Sequence, residues 1–169
     1  SGNLSVNSVV TADGSGNVTL NADSGTITLA STVSSTTGNL LISGDVVNQN
    51  SNIQTGGTGT IAVTADNGSI TMADGTTATT TGGAIDYSAT ADVALSLLSS
   101  GIGGGSIHVT ADSDTNGTGA ITDNTAAENA NLVTTTTATL AAAQGIGSGN
   151  ALETDINTLI ATNTTTGNI

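Results

Sequence analysis

Residue types that hold metals or move protons are scarce in this chain. Their densest run is Asp112-Ser-Asp114-Thr-Asn116-Gly117-Thr118-Gly-Ala-Ile121-Thr-Asp123. Side-chain oxygens fall there at the first, third, fifth, seventh and twelfth places of a calcium loop, and Gly117 takes the sixth, where such a loop turns sharply. Asp112, Asp114, Asn116, Thr118 and Asp123 are thus the expected ligands of one Ca2+, the only cofactor the sequence suggests. Two features depart from a helix-flanked calcium loop: the twelfth residue is Asp rather than Glu, and the flanks read as strands. The competing use of the same residues is a solvated turn between strands around Ile107 and Ile121, since Asp, Asn and Gly are also turn formers.

No other run suggests a reaction. His108 is the sole imidazole and alternates with Ile107 and Val109, so it is expected to point outward into solvent. Glu128 and Glu153 are the only glutamates, and a glycosidase pair built from them or from Asp residues would be the chemistry to look for. Polysaccharide lyases on repetitive β folds use Arg or Lys to stabilise an enolate, and this chain has neither. Without Cys there is no thiol nucleophile, disulfide or Cys-ligated zinc. The expectation is a protein that is not an enzyme, with a carbohydrate-processing enzyme as the alternative.

Composition narrows the partners. With no Lys or Arg and a net charge of −13, nothing can neutralise phosphates, so nucleic acids and anionic lipid headgroups are disfavoured. The longest apolar stretch, around Val93 to Leu98, is far short of the roughly 20 residues of a membrane helix, and no membrane insertion is expected. Of 169 residues, 34 are Thr, 23 Gly, 18 Ser and 17 Asn, while one Tyr is the only aromatic. A core must therefore be assembled from small aliphatics.

Those aliphatics recur with a period. Short units beginning with Gly, such as Gly16-Asn-Val-Thr-Leu20, Gly59-Thr-Ile-Ala-Val63 and Gly105-Ser-Ile-His-Val109, alternate apolar and polar residues like half-buried strands. Their leading residues Val18, Leu40, Ile61, Ile85 and Ile107 are spaced by 22, 21, 24 and 22 residues. A second series follows nine residues later at Ile27 and Ile70, so each repeat holds at least two strands. Units this small cannot bury a core alone and must stack. The recurrent Gly and the β-branched residues oppose helix. The expected fold is therefore all-β, a right-handed parallel β-helix of about 22-residue coils. Seven to eight coils would form one segment over residues 1–169, a rod of roughly 35 to 40 Å at ~4.8 Å per coil. Inward positions should include Val18, Leu20, Ile27, Leu29, Ile61, Val63, Ile70, Ile85, Ile107 and Val109. Recurrent Ala-Asp pairs after the strands, as at Ala65-Asp66 and Ala111-Asp112, mark the corners.

Residues 141–163, containing Gly145-Ile-Gly-Ser148, Leu152-Glu-Thr-Asp-Ile156 and Ala161-Thr-Asn163, resemble the repeats of large filamentous-haemagglutinin-like bacterial surface proteins. There a Gly-Ile-Gly-Ser turn, a Leu-x-Thr-x-Ile strand and an Ala-Thr-Asn turn recur along a β-helix. The resemblance covers about 30 residues and implies a structural or adhesive segment of an extracellular, cell-surface fibre or filament. Glycans or neighbouring cell surfaces are its implied partners. Strand motifs lie at both extremes, Gly2-Asn-Leu-Ser-Val6 and Gly167-Asn-Ile169. The expected neighbours there are flanking solenoid repeats or a second copy stacked head to tail.

Overall fold

The computed structural model describes residues 2–127 and 129–169. It is an all-β solenoid of about seven turns, each turn about 22 residues from the next, and all of its strand pairings are parallel. The chain forms β1 (Leu4–Val6), β2 (Val10–Ala12), β3 (Val18–Leu29), β4 (Val33–Ser35), β5 (Leu40–Gln49) and β6 (Ile53–Thr55). Then follow β7 (Ile61–Ala65), β8 (Ile70–Met72), β9 (Thr77–Thr80), β10 (Ile85–Ala89), β11 (Val93–Leu95) and β12 (Leu97–Ser99). After one 3-10 turn at Gly101–Gly103 come β13 (Ile107–Ala111), β14 (Ile121–Asp123), β15 (Leu132–Ala142) and β16 (Thr154–Asn163).

The pairings sort these strands onto three faces. On the first, Val18, Leu40, Ile61, Ile85, Ile107, Ala138 and Leu159 stand in register, one per coil. On the second, Leu4, Ile27, Val47, Ile70, Val93 and Ile121 do the same, and Ile146 extends the row by a bridge to Ile121. The third face carries Val10, Val33, Ile53, Ala78, Leu98 and Leu132. The sequence pattern leads to the first two faces. The third escapes it because its inward residues are unevenly spaced, from Val10 to Val33, Ile53, Ala78, Leu98 and Leu132, with steps of 23, 20, 25, 20 and 34 residues.

Every expected inward residue is buried except Leu20, which packs against the core but is half-buried in an outer coil. The core is therefore three aliphatic rows meeting along one axis. Each Ile, Leu or Val added by a coil removes apolar surface from water, an effect of about 1.5–3 kcal/mol per side chain. One coil alone covers only one flank of each side chain, so the coils depend on their neighbours.

Corners between the third and first faces repeat one device. Ser35 Oγ donates to the Gly16 carbonyl at 2.6 Å, Thr55 Oγ1 to the Gly38 carbonyl at 2.6 Å and Ser100 Oγ to the Gly105 carbonyl at 2.6 Å. Thr80 Oγ1 donates to the Gly83 carbonyl at 2.5 Å and Thr134 Oγ1 to the Gly105 carbonyl at 2.7 Å. All five hydroxyls belong to buried residues. Carbonyls turned inward at the corner thereby find donors where water is excluded.

One coil is enlarged. Ile107 pairs with Ala138, a separation of 31 residues instead of about 22. The extra residues lie on both sides of β14, in the corner 112–120 before it and, after it, among residues of which 124–127 and 129–131 are described.

Candidate functional site

The corner 112–120 holds four of the five expected ligands. Asp112 and Thr115 there have left-handed backbones, φ 69 and φ 58, the only non-glycine residues so placed among those described. Asp tolerates this conformation better than most residues because its short side chain bonds locally. Asp112 Oδ1 accepts the Gly117 N–H at 3.0 Å, and Asn116 Oδ1 accepts the Thr118 N–H at 2.9 Å and the Thr118 hydroxyl at 2.5 Å. The Asn116 amide nitrogen donates to Asp114 Oδ2 at 2.9 Å. These bonds tie the tip of the corner into one small ring of side chains and backbone.

Asp123, the fifth expected ligand, sits at the end of β14 in a different network. Its Oδ1 accepts the Thr125 N–H at 2.8 Å, the Thr125 hydroxyl at 2.7 Å and the Asn131 amide at 2.7 Å. Its other oxygen accepts the Asn150 amide at 2.5 Å. Asp123 thus ties Thr125 and Asn131 to Asn150 of the next coil, and Asn131, fully buried, passes the connection on to the Ser96 carbonyl at 3.1 Å. No group of three or more His, Cys, Asp or Glu side chains poised to hold a metal occurs among the described residues.

A cation at this corner would compete with those bonds. Asn116 Oδ1 already accepts two donors from Thr118, and Asp123 would give up four donors before reaching the ion. Adding millimolar calcium to chelator-treated protein is therefore expected to move the melting temperature by less than about 2 °C, since a site filled to ten times its Kd would raise it by more. A larger rise that Asp114→Ala removes would show that the corner reorganises around the ion.

The other residues singled out by type lie apart from this corner. His108 is exposed as expected and lies between Asp86 and Thr139 in an outward row of the first face. Glu153 follows the corner 147–152, where its backbone N–H donates to Asn131 Oδ1 at 3.0 Å. Glu128 lies outside the described residues.

Asparagines act here in a way the sequence reading did not anticipate. Asn17 Oδ1 accepts the Asn39 N–H at 2.8 Å, and Asn39 Oδ1 accepts the Thr60 N–H at 3.0 Å, one coil passing its side chain to the backbone of the next. Asn3 serves Thr26 and Asn52 serves Thr77 in the same manner, at 3.0 and 2.9 Å. The signal was present as an Asn directly after Gly16 and Gly38, spaced by one repeat.

The solenoid also carries an apolar cleft of about 450 Å³ at the β16 side, lined by Leu140, Ile146, Leu152, Leu159, Ala161 and Ile169. Leu159 occupies an inward register there yet is 48% exposed, because no further coil lies upon it. No protein-family model matches the chain, and no curated protein or solved structure matches it.

Proposed function

We propose that this chain is a structural or adhesive segment of an extracellular bacterial surface fibre or filament, with no catalytic role. The observation that supports it most directly is the continuity of the first and second in-register aliphatic rows into coils whose outer strand edges are unpaired. On one side β16 pairs only with β15, and the Leu159 row ends in the apolar cleft; on the other, β1 pairs only with β3 and β2 only with β4. Such edges offer a ladder of backbone donors and acceptors together with an uncovered core. A further coil completes both, whether it comes from flanking repeats or from a second copy stacked head to tail. A contact of that kind does not close on itself and extends into a rod.

The outward faces suit contact with neutral, hydroxyl-rich partners such as glycans. Their rows include runs of Thr, Ser and Asn at the strand spacing of ~4.8 Å, for example Ser5, Thr28, Asn48 and Thr71 in register.

Light scattering and electron microscopy of the purified chain test the stacking. Association that rises with concentration is expected, and Leu159→Lys, which places a charge in the uncovered row, is expected to abolish it. A non-associating monomer with both outer coils protected from hydrogen exchange would overturn head-to-tail stacking. Polysaccharide turnover in a hydrolysis screen would overturn the non-catalytic reading.

A further inference from the structure

We propose that the cleft beside the corner 112–120 binds an amino sugar, its ammonium group on Asp112 and its hydroxyls on the surrounding Thr and Ser side chains. This rests on the glycan-contact reading above and narrows it to one site and one class of sugar. The cleft measures about 440 Å³, a size ordinary for small-molecule sites. It exists because the enlarged coil carries its corner outward while the coils beyond turn tightly. There the Ala143 and Gln144 N–H groups both donate to the Gly119 carbonyl, and those of Thr165 and Thr166 both donate to the Ala143 carbonyl. The corner lends Asp112, Ser113 and Thr115 to the cleft, and the following coils lend Ala141 and Ala142, then Thr164 and Thr165.

Asp112 is the charged group of this cleft and is 9% exposed. Its Oδ1 accepts the Gly117 N–H at 3.0 Å. Among the described residues no donor reaches its Oδ2, and that oxygen is not sealed from solvent. A carboxylate stripped of most of its water needs several donors or an opposite charge. Here it has one donor, and the chain has no Lys or Arg to supply the charge. His108, the sole imidazole, stands between Asp86 and Thr139 and does not line the cleft. The missing donors and charge are therefore left for a ligand to bring. An anion is repelled by Asp112 and by the net charge of −13. Calcium takes roughly six to eight oxygens, more than one free carboxylate oxygen gathers here. An ammonium group has three donors, and three acceptors satisfy it.

The remaining lining favours a hydroxyl-bearing ring over a bare amine. The hydroxyls of Thr110, Ser113, Thr115 and Thr165 make no hydrogen bond with the described residues. Thr164 Oγ1 reaches only the Ala142 carbonyl, at 3.5 Å. Each hydroxyl can both donate and accept, as can each hydroxyl of a sugar, so the two sets pair without either needing a fixed polarity. The methyl groups of Ala141 and Ala142 offer apolar contact to the C–H groups of the ring. The cleft beside β16 is of similar volume, but no carboxylate lines it, and it gives an ammonium group no partner.

Glucosamine, N-acetylglucosamine, glucose and ethanolamine are titrated separately into isotope-labelled protein at about pH 6, where the amines are protonated, and amide resonances are followed. Glucosamine is expected to shift residues 111–117 and 164–165 and to bind at least about tenfold more tightly than the other three, which lack either the charge or the ring of hydroxyls. Asp112→Asn, which tolerates the left-handed backbone and still accepts the Gly117 N–H, is expected to reduce glucosamine to the level of glucose. Ala141→Leu, an outward substitution that fills the cleft, is expected to weaken glucosamine about tenfold and decides the matter if Asp112→Asn fails to fold. Equal binding of glucosamine and its N-acetyl form, equal binding of ethanolamine, or shifts spread along all three faces would overturn the proposal. Neutral sugars bound elsewhere on the solenoid would overturn the cleft and leave the glycan-contact reading standing, whereas no binding of any sugar would overturn both.

Discussion

Gly83→Ala is expected to destabilise the protein by about 3 kcal/mol or more, lowering the melting temperature by about 6 to 12 °C. A methyl built on Gly83 would lie 2.6 Å from the Gly59 carbonyl carbon and closer still to its oxygen. The obstacle is backbone, and it cannot rotate away as a side chain would. Nor can the coils part, since Ile61 to Ala65 and Ile85 to Ala89 are fixed at ladder spacing just beyond the corner. Gly38 and Gly105 stand in the same row, each with a carbonyl carbon of the preceding coil 2.5 Å from the position of a Cβ. Gly75 serves as the control. It has φ +77 and no atom within 4 Å of a Cβ, so Gly75→Ala meets only left-handed strain, about 1–2 kcal/mol. Calorimetry or circular-dichroism melts compare the two. A Gly83→Ala protein melting within 2 °C of the parent would show that the corner relaxes, and the stacked-glycine account would fail.

This row also marks how far the sequence could be read. Gly16, Gly38, Gly59, Gly83 and Gly105 were visible as the first letter of each strand unit, and the apolar alternation after them led directly to the parallel stack. Periodicity exposes whatever repeats at a constant distance, and two of the three faces do. The buried hydroxyls Ser35, Thr55, Thr80, Ser100 and Thr134 were hidden, because Ser and Thr also fill the outward positions, and composition does not separate a corner donor from a solvated one. The enlarged coil was legible only in part. Its Asp112 to Asp123 spacing looked like one loop, but Ile121 in the middle is an inward residue of the second face. Burial of that side chain splits the run into a corner and a strand, which places Asp123 in the network of Asn131 and Asn150 rather than beside Asp114.

The largest pH effect is expected from Tyr87, and it can be assigned to one side chain. Tyr87 is fully buried in the first face between Val63 and Val109, and its hydroxyl donates to Gln49 Oε1 at 2.5 Å. Gln49, also fully buried, donates from Nε2 to the Thr77 carbonyl at 3.0 Å, so a polar chain crosses the core through all three faces. Burial pushes the Tyr87 phenol well above its ordinary value, because the phenolate would lose its hydration. An acid whose folded pKa is raised gives its full stabilisation below the unfolded value and loses it as pH rises. Above about pH 10 the unfolded chain ionises this tyrosine while the folded one does not, and stability should fall by about 1.4 kcal/mol per pH unit. With no Lys, Arg or Cys and no second Tyr in the chain, no other side chain titrates in that window. Tyr87→Phe is expected to cost about 1–3 kcal/mol at neutral pH, since it leaves Gln49 Oε1 buried without its donor. The same variant should be flat with pH above 10, so urea-unfolding curves of parent and variant are expected to cross between about pH 11 and 12. Parallel curves would mean that the phenol ionises within the fold, and the buried Tyr87–Gln49–Thr77 chain would then not be the feature that locks the three faces together.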